Sequence, residues 1–378
     1  MSDRRLFRSE RKDGRFVSTA GFIHATMKSL DPPLSFDPEM PTEDLPHWRE
    51  QLREKLRKLM CFPQVPQQPA PQIIGAEPRD GYELQRWEAY PEPHSVVPFL
   101  VLVPEDIPRP APAVLCFPGS TRTNRGLAGE SEPDSEDRHW HSNRMALHYA
   151  RAGMVSIAVE NPCMGTRASE IGPSRAEVAM SLLWMGRSYE GLSAFEKLSI
   201  LRWAREQSWI DGTRIAVSGH SLGAKPALIL GVLEPEISAL VWSDFTCDFR
   251  ERAIATNLAA IATHQYVPGL IAWFDYPELM AAIAPRPLLI TEGGRTVHIE
   301  RIREAYRALD AEDRFHVAYY PKYADTADRP NDDKPLPEGL TSEDYLADWA
   351  NVDVPEHCFK PDVAVPWLAR ILSAGSEA

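Results

Sequence analysis

From residue 82 onward, short apolar runs alternate with longer amphipathic stretches, and this alternation limits the fold more than any other feature. YELQRWEAY and SVVPFLVLVP read as two antiparallel strands. PAVLCFPGS is apolar without alternation and ends in Pro-Gly, the pattern of a strand buried on both faces. A helix around Trp140–Ala152, the strand MVSIAVE and a long helical stretch over about Ala176–Gln207 follow. Then come the strand RIAVSGHS, the helix SLGAKPALILGVL and the strands ISALVWSDF and RPLLITEGG. The helix IERIREAYRALD, the strand FHVAYYP and a helix near Val363–Leu372 complete the chain. Strands alternating with helices predict an α/β fold with a mostly parallel twisted sheet. Right-handed crossovers place helices on both of its faces.

The first 80 residues follow other rules. Residues 1–45 are charged and contain prolines without a sustained period, as an arm would. WREQLREKLRKLM puts Trp48, Leu52, Leu56, Leu59 and Met60 on one stripe, an amphipathic helix. CFPQVPQQPAPQ is an extended connector. The expected division is therefore 1–80 for arm, helix and connector, and 81–378 for the α/β body with its insertions. Within that body, residues 120–138 and 321–356 are long insertions, the kind that form lids or pocket walls.

Composition excludes several classes. With 41 Lys+Arg against 54 Asp+Glu, the net charge of −13 repels phosphate backbones, so no nucleic-acid partner is expected. No apolar run approaches the ~18 residues of a membrane span. MSDRRLFRSERKDGRF lacks the apolar core of a secretory signal, so the expected location is cytoplasmic. The five cysteines are scattered without CxxC spacing, which fits reduced thiols and gives no metal signature. Cys116 and Cys247, in apolar or strand-like runs, are expected in the core.

The sharpest chemical signal is IAVSGHSLGAKPALIL, which holds Gly219-His220-Ser221-Leu222-Gly223 between an apolar strand and an apolar helix. A G-x-S-x-G in that context is a strained turn that presents the serine at the strand's carboxyl end. Side chains at the glycines would collide with neighbouring backbone. A serine hydroxyl needs an adjacent base to act as a nucleophile. The order of parts in such a site is serine, acid, histidine. His357 lies after the last strand and before the last helix, where the base belongs. His298 and His316 compete, but His316 sits inside a strand.

The acid stays open. Thr296 occupies the slot after the penultimate strand where a carboxylate is usual, in Glu292-Gly293-Gly294-Arg295-Thr296. Glu292 ends that strand, and Asp244 ends the strand before it. A carboxylate one residue past a strand end faces the catalytic rim, which slightly favours Asp244; Asp248 is a distant third. The oxyanion donors are expected from the Leu222 amide and from the turn Pro118-Gly119-Ser120-Thr121, with Ser120 ahead of Thr121.

GHSLGAK, FPGS, EGG and the late histidine together resemble the α/β-hydrolase superfamily, over roughly residues 46–374. Within it the chain is similar to bacterial dienelactone-hydrolase-like and acetyl-xylan-esterase-like enzymes. The resemblance implies an α/β-hydrolase fold and a serine esterase with an acyl-enzyme intermediate, acting on a small-molecule ester or lactone without a cofactor or metal. A partial likeness to glucuronoyl esterases rests on Lys225, four residues after Ser221, which helps bind the sugar in those enzymes. The plainer reading of Lys225 is a helix lysine reaching solvent. Asn161 at another strand end, Trp184, Arg187 and His298 are further pocket candidates. For SLLWMGRSYEG the plainer reading is an amphipathic helix with Trp184 and Met185 in the core. Two rivals remain: a C–C hydrolase or thioesterase using the same triad, and a non-catalytic binding protein on a hydrolase scaffold. Homo-oligomerisation is open, since the arm has either its own body or a second subunit to pack on.

Overall fold

The computed structural model describes residues 7–131, 137–168, 171–259, 261–329, 331–332 and 334–374. Residues 132–136 of the first insertion, 330 and 333 of the second, 1–6 of the arm and 375–378 lie outside the described residues.

Among the described residues the nine strands are β1 (Gln72–Arg79), β2 (Tyr82–Ala89), β3 (Val97–Pro104), β4 (Ala111–Phe117), β5 (Val155–Val159), β6 (Ile210–His220), β7 (Ala239–Ser243), β8 (Leu288–Ile290) and β9 (Phe315–Val317). They form one sheet in the order β1-β2-β3-β5-β4-β6-β7-β8-β9. The pairs among β1, β2, β3 and β5 are antiparallel, and every pair from β5–β4 to β8–β9 is parallel.

The helices are α1 (Thr19–Lys28), α2 (Leu45–Leu59), α3 (Asn124–Leu127), α4 (Met145–Arg151), α5 (Arg175–Trp184), α6 (Tyr189–Arg205), α7 (Ala224–Leu233), α8 (Phe249–Ala255), α9 (Tyr276–Ala281), α10 (Thr296–Arg307), α11 (Ser342–Asp344) and α12 (Pro361–Ala374). Alternation along each strand divides the core in two. Leu115, Phe117, Ile215, Val217, Leu240 and Ile290 pack on one face with residues of α2, α6, α7, α9 and α10. Val114, Cys116, Ala216, Val241 and Leu289 pack on the other with α4 and α12. With helices on both faces, the central strands have no solvated side, which explains their continuous apolar runs.

Three elements depart from the local pattern. β1 falls in the stretch read as connector; it is an edge strand with mostly exposed or half-exposed residues, so no apolar alternation marks it. The long helical stretch is two helices, α5 and α6, broken where Gly186 takes φ +75°. The amphipathic helix is α2, with Leu45, Trp48, Leu52 and Leu56 buried in the main core. Cys116 and Cys247 are buried, as expected of them.

Candidate active site

β4 and β6 run parallel with Phe117 beside Gly219, so their carboxyl ends finish side by side. Immediately after β6, Ser221 takes φ +51°, a left-handed backbone that a non-glycine residue holds only when its surroundings enforce it. The enforcement is steric. A Cβ on Gly219 would stand 2.1 Å from the Gly223 carbonyl oxygen, and one on Gly223 would stand 2.3 Å from that of Phe117. Both obstacles are backbone, which has no rotamer to yield. One 3₁₀ turn, Ser221–Gly223, leads directly into α7 and places the serine at the positive end of that helix.

His357 arrives from far down the chain. Its ring packs on that of His220, the residue preceding Ser221, at 4.7 Å between centroids. His357 Nδ1 donates to Glu292 Oε2 at 2.5 Å, and the Cys358 amide donates to Oε1 at 3.1 Å. Glu292 is fully buried, so these donors replace its water. A carboxylate accepts only, which puts the proton on Nδ1 and leaves Nε2 free to accept one from a hydroxyl. Burial pushes the His357 pKa down, but the charge and hydrogen bond of Glu292, with the charge of Asp244, outweigh it and hold the ring above its ordinary value.

Strand-end position favours Asp244 as the partner of His357, and the side-chain geometry is otherwise. Asp244 forms a buried ion pair with Lys225, and its Oδ1 accepts the Phe245 amide at 2.9 Å. Despite desolvation, the Lys225 and His357 charges hold its pKa below the usual value. Lys225 does not reach solvent: its side chain is 6% exposed, and Nζ also donates to the Ser221 carbonyl at 3.3 Å. One turn past Ser221, α7 is buried on all sides, so the lysine must find its anion inside.

The turn Pro118–Thr121 lies against the elbow: a Cβ on Gly119 would stand 2.8 Å from His220 Cδ2 and 3.4 Å from Ser221 Cβ. Among the described residues, neither the Ser120 nor the Thr121 amide has an intramolecular acceptor. Leu222 is buried against Ala179, Leu182 and Tyr189.

The remaining sequence candidates are placed elsewhere. Asn161 is wholly buried and donates through Nδ2 to the Pro118 carbonyl at 2.7 Å, so it holds the turn and does not face a pocket. Arg187 is engaged by Glu92 through two hydrogen bonds of 2.8 and 2.7 Å, leaving no fork for a substrate. Trp184 and Met185 are 93% and 67% exposed, not in the core, because α5 lies on the outside and ends there. His298 is buried against Glu251, with Nε2 to Oε1 at 3.2 Å. His316 packs edge-on against Trp367, Asp248 caps α8 by accepting the Glu251 amide, and Thr296 binds Asp332.

Sequence patterns give no sign of three further residues. Arg175 Nη2 donates to the Ser120 carbonyl at 3.0 Å. His264 packs on Tyr189; burial and then the Arg175 and Lys225 charges push its pKa down to about 4, so it is neutral. Glu190 is fully buried with neither carboxylate oxygen hydrogen-bonded among the described residues. Burial raises its pKa to about 7, against the pull of Lys225, Lys197 and Arg175. Arg175 and Glu190 stand in the first turns of α5 and α6, where periodicity marks a helix and says nothing about what its ends touch.

Among the described residues, His220, Glu292 and His357 are one group with ligand atoms within 4.8 Å of one another, close enough to consider for a metal ion. Both Glu292 oxygens already accept N–H groups, and His220 Nδ1 lies 3.0 Å from the Ser243 carbonyl. A carbonyl only accepts, so that nitrogen carries a proton. No helix among the described residues is long and apolar enough to cross a membrane.

Known proteins share this fold. The model of the Abhydrolase family matches residues 1–370. The chain is 35% identical to a Bacteroides fragilis NCTC 9343 protein whose crystal structure was solved as a candidate acetyl xylan esterase, with TM-score 0.90, covering 97% of this chain and 98% of that one. It is 26% identical over 200 residues to YtaP of Bacillus subtilis (strain 168), a candidate hydrolase. That match covers 53% of this chain and 65% of YtaP, less than two thirds of its length. A glucuronoyl esterase from Solibacter usitatus shares the fold at TM-score 0.54 and 13% identity, covering 77% of this chain and 93% of that one. A family model spanning nearly the whole chain, on an open, mostly parallel sheet with a strained serine after its central strand, places this protein in the Abhydrolase family of α/β-hydrolases.

Proposed function

We propose that the protein is a serine carboxylesterase acting on small-molecule esters, and that Ser221, His357 and Glu292 are its triad. The observation that carries this is an imidazole oriented by buried Glu292 and stacked on His220, the residue that precedes the left-handed Ser221. Ser221 Oγ attacks the ester carbonyl carbon as its proton passes to His357 Nε2. The amides of Leu222 and of Ser120 or Thr121 receive the oxyanion. The C–O bond breaks, and the alcohol leaves with the proton held by His357. Water then attacks the acyl-enzyme, gives a proton to His357, and releases the acid and the serine hydroxyl. Glu292 keeps the imidazole in the right tautomer and stabilises its charged form. The Bacteroides relative points to short acyl esters of carbohydrates as the first substrates to try.

The test is hydrolysis of p-nitrophenyl acetate and of acetylated xylo-oligosaccharides by the wild type and by Ser221→Ala. The wild type should hydrolyse at least one, and the variant should lose all but a residual rate with an unchanged thermal melt. A Ser221→Ala variant as fast as wild type, or failure of a fluorophosphonate to label Ser221, would sink the proposal.

A further inference from the structure

The turn that faces Ser221 has its carbonyls held one by one. The Pro118 carbonyl accepts Asn161 Nδ2 at 2.7 Å, the Gly119 carbonyl accepts the Arg122 amide at 3.2 Å, and the Ser120 carbonyl accepts Arg175 Nη2 at 3.0 Å. In a planar trans peptide the C=O and the next N–H point in opposite directions. Holding the Gly119 and Ser120 carbonyls therefore aims the Ser120 and Thr121 amides, the two without an acceptor of their own among the described residues.

The three anchors differ in origin. Asn161 follows β5 in the sheet, and Arg122 belongs to the same loop as the turn. Arg175 is the first residue of α5, which buries only Ala179 and Leu182 and leaves Met180 and Trp184 60% and 93% exposed. A capping box between Ser174 and Glu177 sets the helix start, and so the root of the arginine side chain. The second contact of Nη2 is Met164 Sδ, at 2.6 Å.

We infer that Arg175 is a positioning residue: it ties the outer helix α5 to the oxyanion turn and fixes the direction of the Thr121 peptide. The inference rests on the serine-esterase proposal. Because α5 also packs on Leu222 through Ala179 and Leu182, one helix braces both sides of the expected oxyanion hole. Oxyanion contacts strengthen as the tetrahedral state forms, so loosening the turn should lower kcat and leave KM nearly alone.

The experiment compares wild type, Arg175→Met, Arg175→Lys and Ser221→Ala on p-nitrophenyl acetate, and measures inhibition by an aryl trifluoromethyl ketone, which forms a tetrahedral adduct. Arg175→Met should lose about 10- to 100-fold in kcat, the scale of a small misplacement of catalytic groups. KM should stay within about twofold and ketone affinity should fall with kcat, whereas a merely structural role would not move the two together. Arg175→Lys, which keeps a donor, should recover part of the loss. If the Met variant does not fold, Arg175→Gln, too short to reach the carbonyl, takes its place. An unchanged kcat, or a rise in KM alone, overturns the inference. Ser221→Ala separates the two levels: if that variant stays active, the serine-esterase proposal itself fails; if it is dead while Arg175→Met matches wild type, only the role of Arg175 fails.

Discussion

His357 Nδ1 lies 2.5 Å from Glu292 Oε2, a contact between residues 65 apart in the chain. Glu292→Gln keeps the size of the side chain but can present an amide N–H to the ring and favour the wrong tautomer. The expected result is a kcat lower by roughly 10³–10⁴-fold with little change in melting temperature, measured by steady-state kinetics and a thermal melt. A variant within tenfold of wild type would remove Glu292 from the triad.

The same contact sets a pH dependence. Only the neutral imidazole accepts the serine proton, and His357 is held above its ordinary value of about 6.5. With a neutral ester, kcat/KM should therefore rise with pH through a midpoint above 6.5, and Glu292→Gln should move that midpoint down. In stability terms a raised imidazole pKa contributes fully below the unfolded value and loses that contribution as pH rises through the folded one. A wild-type midpoint at or below 6.5 would contradict the assignment.

Asp244 and Lys225 behave as a unit. Asp244→Asn leaves a buried ammonium without its anion, at an expected cost of about 3–5 kcal/mol in urea unfolding. Replacing both residues together, Lys225→Met with Asp244→Leu, should recover most of that stability. If the single and double variants unfold alike, the pair is not the source of the effect.

The elbow glycines are predicted to be intolerant for a steric reason. Gly219→Ala and Gly223→Ala each force a Cβ onto backbone oxygen. Each should cost more than about 3 kcal/mol or prevent soluble expression. Titration of the soluble fraction with a fluorophosphonate should find few reactive serines. Normal labelling in either variant would show that the turn can relax.

Glu190 has no hydrogen-bond partner for its charge among the described residues, and its pKa is raised to about 7. A carboxyl group raised in the folded state binds more protons there than when unfolded, so its contribution falls as pH rises from about 4.5 to 7. Glu190→Gln should therefore stabilise the protein at pH 8, by about 3 kcal/mol on the scale of 1.36 kcal/mol per pKa unit, and do little at pH 4. Equal melting shifts at both pH values would refute this.

The strand and helix order, the elbow and the late histidine are legible in the amino acids because their causes are local. A strand buried on both faces must be apolar throughout, and a left-handed serine needs residues without Cβ atoms beside it. The edge strand β1 is not legible in the amino acids, because its largely exposed faces carry no pattern. The partners of the two candidate acids are set by side-chain direction. Asp244 and Glu292 both stand at strand ends, and only packing turns one toward Lys225 and the other toward His357. Likewise Asn161 and Arg175 are unremarkable in the chain and meet the Pro118–Thr121 turn only after β5 and α5 have docked. Hydrogen bonds between residues distant in sequence depend on where whole elements come to rest, and no local rule of spacing or composition contains that information.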